Sequence, residues 1–108
     1  MTTFDDREKA FEAKYEHDEQ LKFKVTARRN KLLGLWAAGL LGKTGADAEA
    51  YAKEVVMADF EKPGDSDVID KLMKDLAAAG KPTEDHTIRK QSERLADEAK
   101  KQIMAEVR

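Results

Sequence analysis

The sequence predicts an all-α fold, an antiparallel four-helix bundle, on three observations. Large apolar residues recur at helical spacing in four successive segments. Gly and Pro sit at the joints between those segments, and no window alternates as a strand would. At 108 residues, with 41% hydrophobic and 39% charged, the chain has material for one domain with a single modest core. Repeats, low-complexity runs and interdomain linkers are absent.

The first segment runs from about Thr3 to Leu41 and stops at Gly42, with Gly45 close behind. Thr3 is its expected N-cap, and Asp5 and Asp6 place negative charge on the first turn, where the helix dipole favours it. Its second half is rich in apolar groups: Leu21, Val25, Leu32, Trp36 and Leu40, with Leu33 and Leu35 alongside. Trp36, set among leucines, reads as core. The second segment starts at Thr44, with Asp47 three residues on, and is expected to bury Tyr51, Ala52, Val55, Val56 and Phe60 before "KPG". Asp65 or Ser66 caps the third, which presents Val68, Ile69, Leu72, Met73 and Leu76 before Gly80 and Pro82. Thr83 is the expected cap of the fourth, which presents Ile88, Leu95, Ala99, Ile103 and Val107.

The first half of segment one does not fit this scheme. Between Thr2 and Gln20 the large apolar residues are Phe4, Phe11 and Tyr15, a one-sided stripe at i, i+7 and i+11. An unbroken helix over the whole segment would be about 58 Å long at ~1.5 Å per residue. The next two helices would each span only about 20–25 Å at the same rise. The bundle can therefore cover about half of segment one, and Leu21 to Leu41 has the stronger claim. The N-terminal half must overhang, fold back after a break near Glu16–Gln20, or stay partly disordered. A division follows into residues 1–19 as an extended or mobile segment and 20–108 as the bundle.

Charge separates the same halves. Residues 1–20 hold seven acids and three bases, while Leu21 to Lys31 holds five bases and no acid. An acidic amphipathic helix with a sparse aromatic stripe and little intramolecular support has the form of a helix-in-groove ligand. A solvated terminal helix that frays is the plainer alternative.

Composition narrows the function classes. A net charge of −2 with both signs interspersed does not suggest a nucleic-acid or polyanion binder. Without cysteine there are no disulfides or thiolate metal sites, and a reducing compartment fits. The acidic, polar start is unlike a secretory signal, and "LLGLWAAGLLG" falls far short of the ~20 residues needed to span a bilayer. No membrane insertion is expected. His17 and His86 lack companions at ligand spacing, so no metal site is expected, and phosphate loops, nucleophile elbows and HExxH are absent. Carboxylates are plentiful but spread along solvated faces, and an enzyme is not expected. The base-rich strip of Lys22, Lys24, Arg28 and Arg29 admits a second reading, a nucleotide-responsive regulatory or interaction domain. Arg28 and Arg29 are adjacent, however, and adjacent residues point to different sides of a helix.

The stretch "FDDREKAFEAKYEHDEQLKFKVTARRNKLLGLWAAGLLG" closely resembles the zeta-subunit inhibitor of bacterial F-type ATP synthases. The pattern there is FDDRE, AFE, a Lys-aromatic pair, HDEEL, FK, ARRNKLLGLWAA and LG. The later "AEAYAKEVVMADFEKPGDSDVIDK" also matches, so the resemblance extends over essentially the whole chain. Two departures are Tyr15, where Phe is common, and Gly39-Leu40, where a charged residue often follows "WAA".

The resemblance implies an N-terminal segment that inserts into the catalytic head of the ATP synthase, between the catalytic-site subunits and the central shaft. There it would block rotation during ATP hydrolysis. Carried over position by position, the inhibitory element is Thr2 to about Glu19, with Phe4, Phe11 and Tyr15 as apolar anchors. Thr2, Thr3, Asp5, Asp6, Arg7, Glu8, Lys9, Glu12 and Glu19 supply the polar and ionic contacts. The chain would be a monomer when free, cytoplasmic, and peripheral on the membrane-bound synthase. Family members have also been credited with weak adenine-nucleotide binding, which would fall to Lys22, Lys24, Arg28 and Arg29; no other cofactor is implied.

Overall fold

A computed structural model describes residues 3–61 and 65–106, with side chains described from 8 to 60 and 67 to 106. It contains five helices and, among the described residues, no strand: α1 (Thr3–His17), α2 (Glu19–Leu40), α3 (Gly45–Glu61), α4 (Asp65–Ala78) and α5 (Asp85–Glu106). The expected first segment is two helices. It breaks at Asp18, whose backbone turns extended (φ −110°, ψ 104°) while its carboxylate caps α2. The molecule measures 49 Å along its longest axis, shorter than the ~58 Å of an unbroken first segment.

Glycine ends two helices in the same way. Gly42 (φ +78°) and Gly80 (φ +77°) take left-handed conformations that side-chain-bearing residues avoid. After α2, Lys43 N–H reaches back to Ala38 C=O at 2.8 Å and Gly42 N–H to Gly39 C=O at 3.2 Å. After α4, Lys81 N–H bonds Leu76 C=O at 2.9 Å and Gly80 N–H bonds Ala77 C=O at 3.0 Å. Each pair satisfies carbonyls that the helix end would otherwise leave open. Thr83 is not the cap of α5. Its hydroxyl donates backward to Lys81 C=O at 3.1 Å, and the helix begins one residue later, with Glu84 C=O accepting from Ile88 N–H at 3.2 Å.

α2 touches every other helix. Its main core cluster joins Leu33, Ala37 and Ala38 to Tyr51 and Val55 of α3, to Val68, Ile69, Leu72 and Leu76 of α4, and to Ile88 and Leu95 of α5. The buried stripe of α2 is rotated from the expected one. Leu33, Gly34, Ala37 and Ala38 face inward, Leu32 and Trp36 pack on the cluster's edge, and Leu40 is exposed. On α3, Val56 is half-buried and Phe60 exposed, against the expectation that both lie in the core. Val107 lies outside the described residues.

Small residues set this rotation. A Cβ on Gly34 would sit 2.8 Å from the Ala52 Cα and 3.1 Å from a Val55 methyl, so α2 and α3 meet nearly backbone to backbone. Together with the Phe23–Phe60 ring contact, this crossing shows that α2 and α3 run in opposite directions. A polar clasp then ties α3 to α4. The Tyr51 hydroxyl donates to Asp75 Oδ2 at 2.8 Å, and Lys71 Nζ reaches the same oxygen at 2.9 Å and Glu54 at 3.7 Å. Burial and then the bond to Asp75 push the Tyr51 hydroxyl far above the ordinary tyrosine range. For Asp75, burial alone would raise the carboxyl, but the bonds from Lys71 and Tyr51 outweigh it and hold it below its usual value.

Two outcomes follow for stability. Gly34→Ala should destabilise by about 1–3 kcal/mol through overpacking, even though alanine favours helix. Gly39→Ala, where an added Cβ meets nothing within 4 Å, should instead be neutral or stabilising by about 0.5–1 kcal/mol. Urea unfolding of both variants tests the crossing, and equal responses would sink it. Because the folded Asp75 carboxyl lies below its unfolded value, its contribution is complete above about pH 4 and fades as pH falls through the folded value. Asp75→Asn should therefore flatten the acid limb of the stability–pH profile, read from the urea midpoint at each pH.

Candidate functional site: the N-terminal helix and its dock

The joint before α2 is built by one side chain. Asp18 Oδ1 accepts from Gln20 N–H at 2.9 Å and Leu21 N–H at 3.1 Å, satisfying two amides that the new helix start leaves open. Glu19 adds negative charge to the first turn and pairs with Lys22 at 3.7 Å. α1 ends at His17 immediately before this cap, so the chain can change direction at one residue.

α1 lies against the bundle through one aromatic plug. Phe11, only 7% exposed, packs with Leu21 and Val25 of α2 and with Ala99 and Ile103 of α5. Tyr15 is half-buried beside it, with ring centroids 6.2 Å apart. Lys100 of α5 closes the contact. Its Nζ stands 4.6 Å from the Tyr15 ring centre and 3.7 Å from a Glu12 carboxylate oxygen. The expected extended or mobile N-terminal half is therefore, from Glu8 to His17, a helix held by a second and smaller apolar cluster. The physical reason is the length of α5. Its 22 residues match those of α2, so Ala99 and Ile103 extend the wall that Phe11 fills.

The inhibitory residues named from the sequence are placed unevenly. Thr2 lies outside the described residues, and so do the side chains of Thr3, Phe4, Asp5, Asp6 and Arg7, whose backbone is helical. Glu8 and Lys9 are exposed, Glu12 is exposed and faces Lys100, and Glu19 belongs to α2. Phe11 and Tyr15 face the protein's own bundle. Lys100, Ala99 and Ile103, which complete the dock, had no signal linking them to residues nearly ninety positions earlier. Asp18 had one: an Asp followed by Glu in a first turn is a helix-start pattern.

The base-rich strip is dispersed. Arg28 forms a two-pronged contact with α5, its Nη1 at 2.8 Å from Gln102 Oε1 and 2.7 Å from Glu106 Oε2, its Nη2 at 3.1 Å from Glu106 Oε1. The Arg28 bond is the main cause holding the Glu106 carboxyl below its ordinary value. Arg29 turns to another side, donating to the buried Asn30 Oδ1 at 3.2 and 3.0 Å and lining a cleft with Ile69, Arg89 and Ser92. Lys22 is half-buried beside Glu19, and Lys24 is exposed. Among the described residues, no three His, Cys, Asp or Glu side chains cluster as a metal site would, and no helix is long and apolar enough to cross a membrane.

An all-helical chain with a discrete, acidic N-terminal helix set off by its own cap has the form of a regulatory binding protein. The family model for ATPase inhibitor subunit zeta matches residues 1–102, and the chain belongs to that family. Its role is thus inhibition of an ATPase, by a family of regulatory proteins that are not enzymes, and the family implies association with F-type ATP synthase. Among solved structures, one determined in solution by NMR is similar, with 47% sequence identity and a TM-score of 0.70. The match covers 81% of this chain and 99% of that one. Comparison with curated proteins found no match.

The buried plug makes Phe11 a contributor to stability. With Phe11 exposed, its truncation would leave folding unchanged; as placed, Phe11→Ala should cost about 1.5–3 kcal/mol, the worth of burying one large apolar side chain. Amide exchange should quicken over residues 8–17 while Leu33, Leu72 and Leu76 stay protected. Exchange that rises equally in both regions would show that α1 is integral to the main core.

Proposed function

We propose that the chain inhibits ATP hydrolysis by an F-type ATP synthase through residues 1–19, which insert as a helix between the catalytic-site subunits and the central shaft and block rotation. The observation that carries this reading is the build of α1. It is a discrete helix, cut from α2 by the Asp18 cap and attached through a single aromatic plug, in a chain of the zeta inhibitor family. A segment attached this way can leave the bundle without dismantling the main cluster, to which no described side chain of α1 contributes.

Insertion then becomes an exchange of partners. Phe11 and Tyr15 trade the dock on α2 and α5 for a groove in the catalytic head, and only the difference between the two burials appears as affinity. Undocking forfeits about 1.5–3 kcal/mol for Phe11 and about 0.5–1 kcal/mol for the Lys100–Tyr15 contact. The exposed Glu12–Lys100 pair adds at most about 1 kcal/mol. These sums are small enough for binding of an aromatic anchor in a closed groove, worth about 2 kcal/mol or more, to overcome with help from the polar contacts of Asp5 to Lys9. The free protein is a monomer in this reading, and nucleotide is not required.

Steady-state ATP hydrolysis by the cognate catalytic head tests it. The full chain should lower turnover, and a chain lacking residues 1–19 should not, while circular dichroism shows that it remains helical with a reduced melting temperature. Unchanged turnover with saturating full-length chain rejects the proposal. Lys100→Ala provides a sharper measurement. It loosens the dock without altering α1, so the concentration for half-inhibition should fall about two- to fivefold, as expected for roughly 0.5–1 kcal/mol of lost docking. Weaker inhibition by this variant would mean that docked α1 is the active form.

A further inference from the structure

The seam of α2 and α3 carries the largest exposed apolar side chains of the described residues. Phe23 is 55% exposed, Met57 53% and Phe60 48%. Phe23 and Phe60 tilt against each other with ring centres 5.2 Å apart, so the two helices present one aromatic surface. Beyond them an open cleft of about 350 Å³ continues along the seam, floored by Ala52 and Val56 and edged by Met57, Lys31, Lys53 and Glu49. From Phe60 back to Glu49 the surface spans twelve residues of α3, roughly 16 Å, or three helical turns. Neither the α1 dock nor the main core uses any of these side chains except Ala52, whose backbone meets Gly34.

We infer that this face receives an amphipathic helix of a partner protein whose apolar stripe is flanked by carboxylates. The cleft is apolar along its floor, and with the Phe23–Phe60 surface it extends about three turns, which suits one helix laid against two. Its rim sets the charge. Lys31 stands on the α2 side and Lys53 on the α3 side, both exposed and neither ion-paired among the described residues; Glu49 is the one acid at the edge. Carboxylates on both flanks of an incoming helix would meet a lysine on each wall. Met57 supplies an unbranched, adaptable side chain where the two apolar surfaces meet. The inference does not depend on the inhibitory reading, because no described side chain of α1 takes part.

Two synthetic 14-residue helical peptides provide the probe, sharing one Leu/Phe stripe and differing only in glutamate or lysine flanks. Each is titrated into the full chain by fluorescence anisotropy, with amide NMR shifts to locate binding. The glutamate-flanked peptide should bind at least tenfold more tightly, with shifts centred on Phe23, Lys31, Lys53, Met57 and Phe60. In the double variant Lys31→Glu, Lys53→Glu, both sites being solvent-facing, the preference should invert. Phe23→Ser with Phe60→Ser should weaken either peptide at least tenfold while circular dichroism stays unchanged. Equal binding of both peptides, or shifts centred on Leu21, Val25 and Ile103, would overturn the assignment. So would concentration-dependent dimerisation abolished by the same serine substitutions, which would give the face to a second copy of the chain.

Discussion

The rest of the structure depends on the approach of α2 to α3 at Gly34. With no side chain there, the α2 backbone comes so close that an added Cβ would sit 2.8 Å from the Ala52 Cα, and Val55 packs into the same gap. Dispersion gains fall steeply with distance, so a crossing this close draws in every contact around it. It also determines which side of α2 faces inward. Leu33, Ala37 and Ala38 point to the core, while Trp36, larger than any of them, is left at its edge. α4 and α5 then close over the face that this choice creates, and the Tyr51–Asp75–Lys71 clasp holds α4 in register with α3.

Along α2 the protein carries two unequal apolar clusters. The main one joins α2 to α3, α4 and α5; the lesser one joins the first turns of α2 to the end of α5 and to α1. Local stability follows local burial, so the two regions open with different free energies. Arg28 strengthens the boundary by clamping the end of α5 to α2 through Gln102 and Glu106. The wall of the α1 dock beyond it is formed by α2 and α5, which this clamp joins.

In a chain where 39% of residues are charged, charge position matters more than net charge. The bases from Lys22 to Lys31 look like one patch in sequence, yet apart from Lys24 and Arg28, which both act on Glu106, they serve separate purposes in space. Arg28 binds α5, Arg29 turns to the α4–α5 side, Lys22 pairs with Glu19, and Lys31 edges the cleft beside α3. A helix distributes neighbours around its axis at 3.6 residues per turn, so a run of like charge disperses unless it repeats every third or fourth position.

By itself the sequence determined the three later helices and the helical character of the first segment, most of the helix ends, the core positions of α4 and α5, and the family. These are local properties. Helical periodicity in "DVIDKLMKDL" leaves one apolar stripe, and Gly42 and Gly80 are required wherever a helix ends in a left-handed turn. It also located the weak point near Asp18 but left three outcomes open, because a cap competes with helix continuation by only about 1 kcal/mol. Only the tertiary structure decided among them. The wall formed by Ala99 and Ile103 lies nearly ninety residues from Phe11 in the chain and beside it in space. The rotation of α2 was hidden for a similar reason. Leu32, Leu33, Leu35, Trp36 and Leu40 lie within about 160° of its circumference at ~100° per residue, so hydrophobicity pointed to their face and not to that of Gly34, Ala37 and Ala38. The choice fell to the absence of a side chain at Gly34, whose effect exists only once Ala52 of another helix is pressed against it.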